Sequence, residues 1–308
     1  MLGCKRIRSG HVVLPIVFVC DEGPGIGLGH RRRCEAIAFE LSALGFAPAI
    51  VASGRGIIAA PVVVVDSYKF RADDRARFVP DVVVAIDDLH RDLDVDVLVC
   101  PAPMAGVLAA VDITARRVLL AGSQYCLIDP ALARMPAAAI TECVETILVT
   151  MGAADAMGLG ADIAGDLARS LPNAEVKLVI GPWGSQTMPA GVVAVCAPKS
   201  LASGLATADV VVTAGGVTLL EALALGRPTI AIATADNQLD NIAACTAASA
   251  AIFCDAAGVL AQVSALCGDL DTRHGLSNAA RALIDGRGAQ RVAAAIVKRA
   301  AINCGVAL

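Results

Sequence analysis

The sequence has 308 residues, 56% of them hydrophobic but only 3% aromatic, with a formal net charge of -4; this is chain enough for two domains with aliphatic cores, and it lacks the basic footprint of a nucleic-acid-binding protein. A mean hydropathy of +0.68 raises the question of membranes, yet the longest apolar runs fall short of the roughly 20 residues that a spanning helix needs, so no stable membrane insertion is expected. Eleven cysteines, odd in number and without a C-x-x-C pair, suggest neither a disulfide framework nor a zinc site and fit a reducing cytoplasm.

At the start of the chain Lys5, Arg6 and Arg8 precede an apolar stretch in the manner of a signal peptide, but acidic Asp21 and Glu22 stand where a small-residue cleavage site belongs. Val12 to Cys20 instead reads as a strand covered on both faces. The loop Asp21-Glu22-Gly23-Pro24-Gly25-Ile26-Gly27-Leu28-Gly29 joins it to a helix beginning near His30, with Cys34, Ala36, Ile37, Phe39, Leu41 and Leu44 at helical spacing and Gly45 as the stop. Glycines let the backbone approach a ligand, and the first helical turn offers N–H groups to an anion. His30 at the mouth of this loop lies beyond the carboxyl end of a parallel strand, where open α/β sheets bind ligands. The positive helix end favours a neutral imidazole that can act as a base.

Further strands are expected at Pro48 to Ser53, Pro61 to Asp66, Val82 to Ile86, Val95 to Cys100 and Arg117 to Leu120. The second of these leads into Asp66-Ser67-Tyr68, placing Tyr68 at a strand's carboxyl end on the same rim as His30. Asp87-Asp88 after the third could bind a metal or a sugar, but without a clear third ligand a helix cap is the favoured reading. Regular periodicity thins out between Asp129 and Glu145, so the domains are set at residues 1–143 and 144–308, which leaves open whether the last helix packs back toward the first domain.

The second half repeats the design. Strand Thr146 to Met151 runs into Gly152-Ala153-Ala154-Asp155, and Ala174 to Ile180, Val192 to Cys196 and Asp209 to Thr213 continue the sheet. The last of these enters Ala214-Gly215-Gly216-Val217-Thr218-Leu219-Leu220-Glu221, a glycine turn and helix start where backbone N–H groups can meet a phosphate and Glu221 can reach sugar hydroxyls. Strand Thr229 to Ile232 is followed by Ala235-Asp236-Asn237-Gln238, where Asn237 reads equally as a helix cap or a ligand contact. Asp285 to about Ala301 reads as a closing helix with an apolar face.

The segments GIGLGHRRRC, VVDSYKF, AIDDL, LLAGSQYCLI, ILVTMGAAD, TAGGVTLLEALALGRPTIAI, ATADNQ and DGRGAQRV, in this order along nearly the whole chain, resemble the UDP-sugar hydrolase family of pseudaminic (nonulosonic) acid biosynthesis. The resemblance implies the GT-B fold shared with the lipid II-forming N-acetylglucosaminyltransferase: two Rossmann-like domains with a cleft between them. It implies metal-independent hydrolysis of UDP-2,4-diacetamido-2,4,6-trideoxy-β-L-altropyranose to UDP and free sugar, with inversion at C1 and no cofactor. By the same resemblance His30 is the catalytic base, Tyr68 and Asn237 act near the sugar, and Glu221 binds the ribose. Gly215 and Gly216 lie beside the diphosphate. Gly27, Gly29, Arg33, Gly152, Thr218 and Gln238 complete the expected substrate-binding set. Ala153-Ala154 and Val217 depart from the family pattern, which often has Gly-Ser and a hydroxyl residue there. A GT-B glycosyltransferase and a non-catalytic sugar-nucleotide-binding protein are the alternatives, and the oligomeric state is not legible.

Overall fold

The computed structural model describes residues 14–304 except 24, 55, 90, 104–114, 156 and 185–186. The expectations for Lys5, Arg6, Arg8, Val12 and Pro24 fall outside the described residues. The chain forms two compact units: one takes the described residues up to Glu22, Leu28–Pro130 and those from Arg287 onward, and the other takes Gly23–Gly27 and Ala131–Gly286.

The first unit holds a six-stranded parallel sheet of β1 (Ile16–Cys20), β2 (Pro48–Ala52), β3 (Val62–Asp66), β4 (Val82–Ile86), β5 (Val97–Cys100) and β6 (Val118–Ala121), in the spatial order β2-β1-β3-β4-β5-β6. Its central strands β3 and β4 are valine-rich and fully buried because both faces are covered, while β2 at the edge is partly exposed. Side chains alternate across a strand, so Ile16, Phe18, Cys20, Val62, Val64, Val82, Val84 and Ile86 pack into one core with Cys34, Ile37 and Leu41 of the helix Gly29–Ala43 and Val292, Ala293 and Ile296 of the helix Gly288–Cys304. The alternate residues Val19, Val63, Val65, Val83 and Ala85 meet Phe70, Phe78 and Leu93 on the other face.

The second unit has its own parallel sheet, β7 (Thr146–Thr150), β8 (Glu175–Ile180), β9 (Val192–Cys196), β10 (Val210–Ala214), β11 (Thr229–Ile232) and β12 (Ile252–Phe253), ordered β12-β11-β10-β7-β8-β9. The two-residue β12 has no counterpart in the sequence reading. In this sheet the order reverses between β7 and β10, as in dinucleotide-binding α/β folds; in the first it reverses between β1 and β3. Ligands bind such sheets beyond the carboxyl ends of the strands at the reversal. Those positions are occupied by the His30 loop and Asp66 in the first unit, and by the Gly152 loop and the Gly215 turn in the second.

Candidate active site

After β1, the turn from Gly23 to Gly27 is closed by the Gly27 N–H donating to Gly23 O at 2.7 Å and the Ile26 N–H at 3.0 Å. Gly27 takes a φ of +87°, a conformation that favours glycine. The helix then starts at Gly29, with His30 second, and no side chain caps its first turn. Asp66 ends β3 opposite Cys20 of β1, with the parity of Val62 and Val64, so it emerges on the face that carries this helix.

The consequence is a buried polar cluster. His30 Nδ1 lies 2.5 Å from Asp66 Oδ1. Arg33, one turn further along the helix, donates from Nε to Asp66 Oδ2 at 2.9 Å, from Nη2 to Asp66 Oδ1 at 2.8 Å and from Nη1 to Asp88 Oδ2 at 2.6 Å. The Tyr68 hydroxyl donates to the same Asp88 oxygen at 3.2 Å, and its ring meets the imidazole edge-on, with centroids 4.4 Å apart at 79°. His30, Arg33 and Asp66 are all buried.

Two groups face Nδ1, the Asp66 carboxylate at 2.5 Å and Arg33 Nη2 at 3.0 Å; the closer carboxylate favours the proton on Nδ1, which leaves the Nε2 lone pair as the base. Proton uptake at Nε2 gives an imidazolium facing a carboxylate, so the arrangement suits a general base oriented by an acid. Burial opposes the charge on Asp88, but the Arg33 guanidinium and the hydrogen bonds from Arg33 and Tyr68 outweigh it and hold the carboxyl below its ordinary value. Burial likewise opposes the charge on Arg33, and Asp66 and Asp88 hold its pKa well above the ordinary value. Arg33, expected at the substrate, has its donors turned to two carboxylates. The expected helix cap at Asp87-Asp88 is corrected: among the described residues no helix follows β4 directly, and the carboxylates accept from Arg91, Arg33 and Tyr68 instead.

Asp66 and Asp88 were missed as site residues by sequence reasoning. The available signal was Asp66 itself, a carboxylate continuing the apolar face of Val62 and Val64 at a strand's carboxyl end.

In the second unit the two glycine loops differ. After β7, Gly152 has a φ of +87°, and Asp155 accepts from the Leu159 and Gly160 N–H groups at 3.0 and 2.8 Å, so a carboxylate already occupies the start of the helix Leu159–Ser170. After β10, the helix Val217–Ala224 has no side-chain cap and no acidic residue in its first turn, which leaves that helix end suited to an anion. Gly215 is packed: a Cβ there would meet Ile242 Cδ1 and Cγ1 at 2.6 Å and Gln238 Cβ at 3.0 Å, whereas one at Gly216 would meet nothing within 4 Å. The Gly215 N–H donates to Gln238 Oε1 at 3.1 Å, and the Thr234 N–H and hydroxyl donate to the same oxygen at 3.0 and 3.1 Å. Gln238 thereby ties the turn after β10 to the segment after β11. Thr218 is the second residue of the helix and Glu221, buried, the fifth. Asn237 is exposed in a 3-10 turn, Asp236–Gln238, whose cap position is Ala235. Among the described residues no group of His, Cys, Asp and Glu has the arrangement to hold a metal ion, and no helix is long and apolar enough to cross a membrane.

No protein-family model matches the sequence, and no curated protein matches it. Solved structures do resemble it. MurG of Acinetobacter baumannii is 13% identical, with a TM-score of 0.61, covering 92% of this chain and 99% of that one. The glycotransferase of kitacinnamycin is 15% identical, with a TM-score of 0.66 over 93% of this chain and 99% of that one. The spinosyn rhamnosyltransferase SpnG, in complex with thymidine diphosphate, is 15% identical, with a TM-score of 0.61 over 91% and 99%. With its two parallel six-stranded sheets and flanking helices, the chain has the GT-B fold of two Rossmann-like domains.

Proposed function

We propose that the chain is an enzyme acting on a UDP-activated sugar, in which His30 Nε2 removes a proton from an oxygen nucleophile that attacks C1 while UDP leaves from the opposite face. The 2.5 Å contact between His30 and Asp66 carries this reading, because a buried carboxylate behind an imidazole at a sheet reversal has a clear use as a base-orienting group. Inversion at C1 follows from a single in-line displacement. The Gly216 turn and the uncapped helix behind it hold the diphosphate, with Glu221 and Asn237 toward ribose and sugar. General-base assistance is worth about a hundred- to ten-thousand-fold in rate; holding nucleophile and sugar in line supplies much of the rest.

Two nucleophiles fit this chemistry. The fold likeness to glycosyltransferases supports the hydroxyl of an acceptor molecule, which makes the chain a GT-B glycosyltransferase. The ordered motifs from GIGLGHRRRC to DGRGAQRV support water, which makes it a cytoplasmic hydrolase of a UDP-diacetamido-trideoxy sugar on the way to a nonulosonic acid. Incubation with a panel of UDP-activated diacetamido sugars, followed by mass spectrometry, tests both. UDP and free sugar formed in buffer alone establish the hydrolase, and UDP formed only with an added acceptor establishes the transferase. Binding of UDP without turnover under either condition points to a sugar-nucleotide-binding protein.

A further inference from the structure

The turn that carries Tyr68 is held by a side chain outside the His30 cluster. Directly after β4 comes Asp87, whose carboxylate is fully buried. The Arg91 backbone N–H donates to Asp87 Oδ2 at 2.8 Å and Arg91 Nε to Oδ1 at 2.7 Å, while Nη2 lies 2.6 Å from Oδ1. The remaining N–H groups turn to the backbone after β3: Nη1 donates to the carbonyls of Tyr68 at 3.0 Å and Phe70 at 2.8 Å, and Nη2 to that of Ser67 at 3.1 Å. Every N–H of the planar guanidinium fork therefore has an acceptor on the protein. Arg71 Nη1 donates to the same Tyr68 and Phe70 carbonyls from another side, at 2.6 and 3.1 Å.

We infer that Arg91, seated on Asp87, is a positioning residue that fixes the Ser67–Phe70 turn and with it the Tyr68 phenol against His30 and Asp88, an inference that rests on the proposed role of Tyr68 beside the sugar. A turn with three of its four carbonyls facing one rigid cation has little freedom to move its side chain. Lysine cannot replace the arginine here, because a single ammonium on a flexible stem lacks the fixed fork that meets a carboxylate and three carbonyls together.

The chain has two tyrosines, Tyr68 and Tyr125, so fluorotyrosine labelling gives two fluorine NMR resonances, assigned with Tyr68→Phe. In Arg91→Lys, with folding checked by circular dichroism, the Tyr68 resonance is expected to shift or broaden while that of Tyr125 stays in place. Turnover should fall about ten- to a hundredfold, as small misplacements at a reacting centre do, and the loss should not add to that of Tyr68→Phe in the double variant. A folded Arg91→Lys whose Tyr68 resonance is unmoved overturns the inference. Should that variant not fold, Asp87→Asn weakens the seat while keeping its shape, and the same displacement or its absence decides. A displaced resonance in a protein that turns over no UDP-sugar upholds the clamp and removes the proposed function instead.

Discussion

Asp66 Oδ1 stands 2.5 Å from His30 Nδ1 across 36 residues of sequence because β1 and β3 are parallel neighbours with Cys20 opposite Asp66. His30→Asn removes the base while leaving the Arg33 ion pairs in place, so it should melt close to the parent and lose at least about a hundredfold in turnover. Asp66→Asn should lose activity within a similar range and also melt lower, because Arg33 stays buried with one carboxylate fewer. Steady-state rates and melting curves of the two variants check this. Equal melting of both variants would mean that Arg33 does not depend on Asp66.

The neighbouring glycines of the second unit should separate packing from ligand approach. Gly215→Ala drives a methyl group into Ile242 and should cost about 1–3 kcal/mol of stability. Gly216→Ala meets open space at an ordinary φ of -88°, so it should melt like the parent yet bind UDP more weakly. Thermal melts with and without UDP read both effects. For the parent, a hundredfold excess of UDP over its dissociation constant should add about 2.7 kcal/mol.

Much of this was legible in the sequence, and the boundary is instructive. Runs such as Val62 to Asp66 and Val82 to Ile86 announce strands because a sheet covered on both faces admits little else. His30 is legible because glycines, a strand end and a helix start meet locally. Asp66 and Asp88 are not, since their partner is decided by strand order, and nothing local to β1 says that β3 lies beside it. Gln238 shows the same limit, for residue type alone does not reveal that its Oε1 faces the Gly215 and Thr234 backbone. The helices Leu239–Ala247, a third of it alanine, and Val259–Gly268, mostly apolar, drew no reading because neither sequence sets a clear apolar face against a polar one.

Acid stability should report on Asp88. Its carboxyl is held below the ordinary value of 3.8, so folding favours the ionised form. That contribution is fully present above the ordinary value and is lost as pH falls through the lower folded-state value. In Asp88→Asn the melting temperature should accordingly fall less steeply below that pH than in the parent. Identical slopes would count against an ionised Asp88 in the fold.

Chelation should not touch turnover, because the Asp66 and Asp88 carboxylates are turned to Arg33, His30 and Tyr68 and the uncapped helix at Gly216 can take the departing diphosphate. Strong inhibition by EDTA, reversed by a divalent cation, would reopen Asp87 and Asp88 as metal ligands.

The central claim is that an oxygen prepared by His30 attacks carbon, not phosphorus, and a UDP-sugar carrying oxygen-18 in the bridge between C1 and the β-phosphorus tests it whether the nucleophile is water or an acceptor hydroxyl. Attack at C1 breaks the bond between carbon and the bridging oxygen. Mass spectrometry should then find the label in UDP, and NMR taken before mutarotation should find the sugar product inverted at C1. Label retained on the sugar would place the attack at phosphorus and contradict the account.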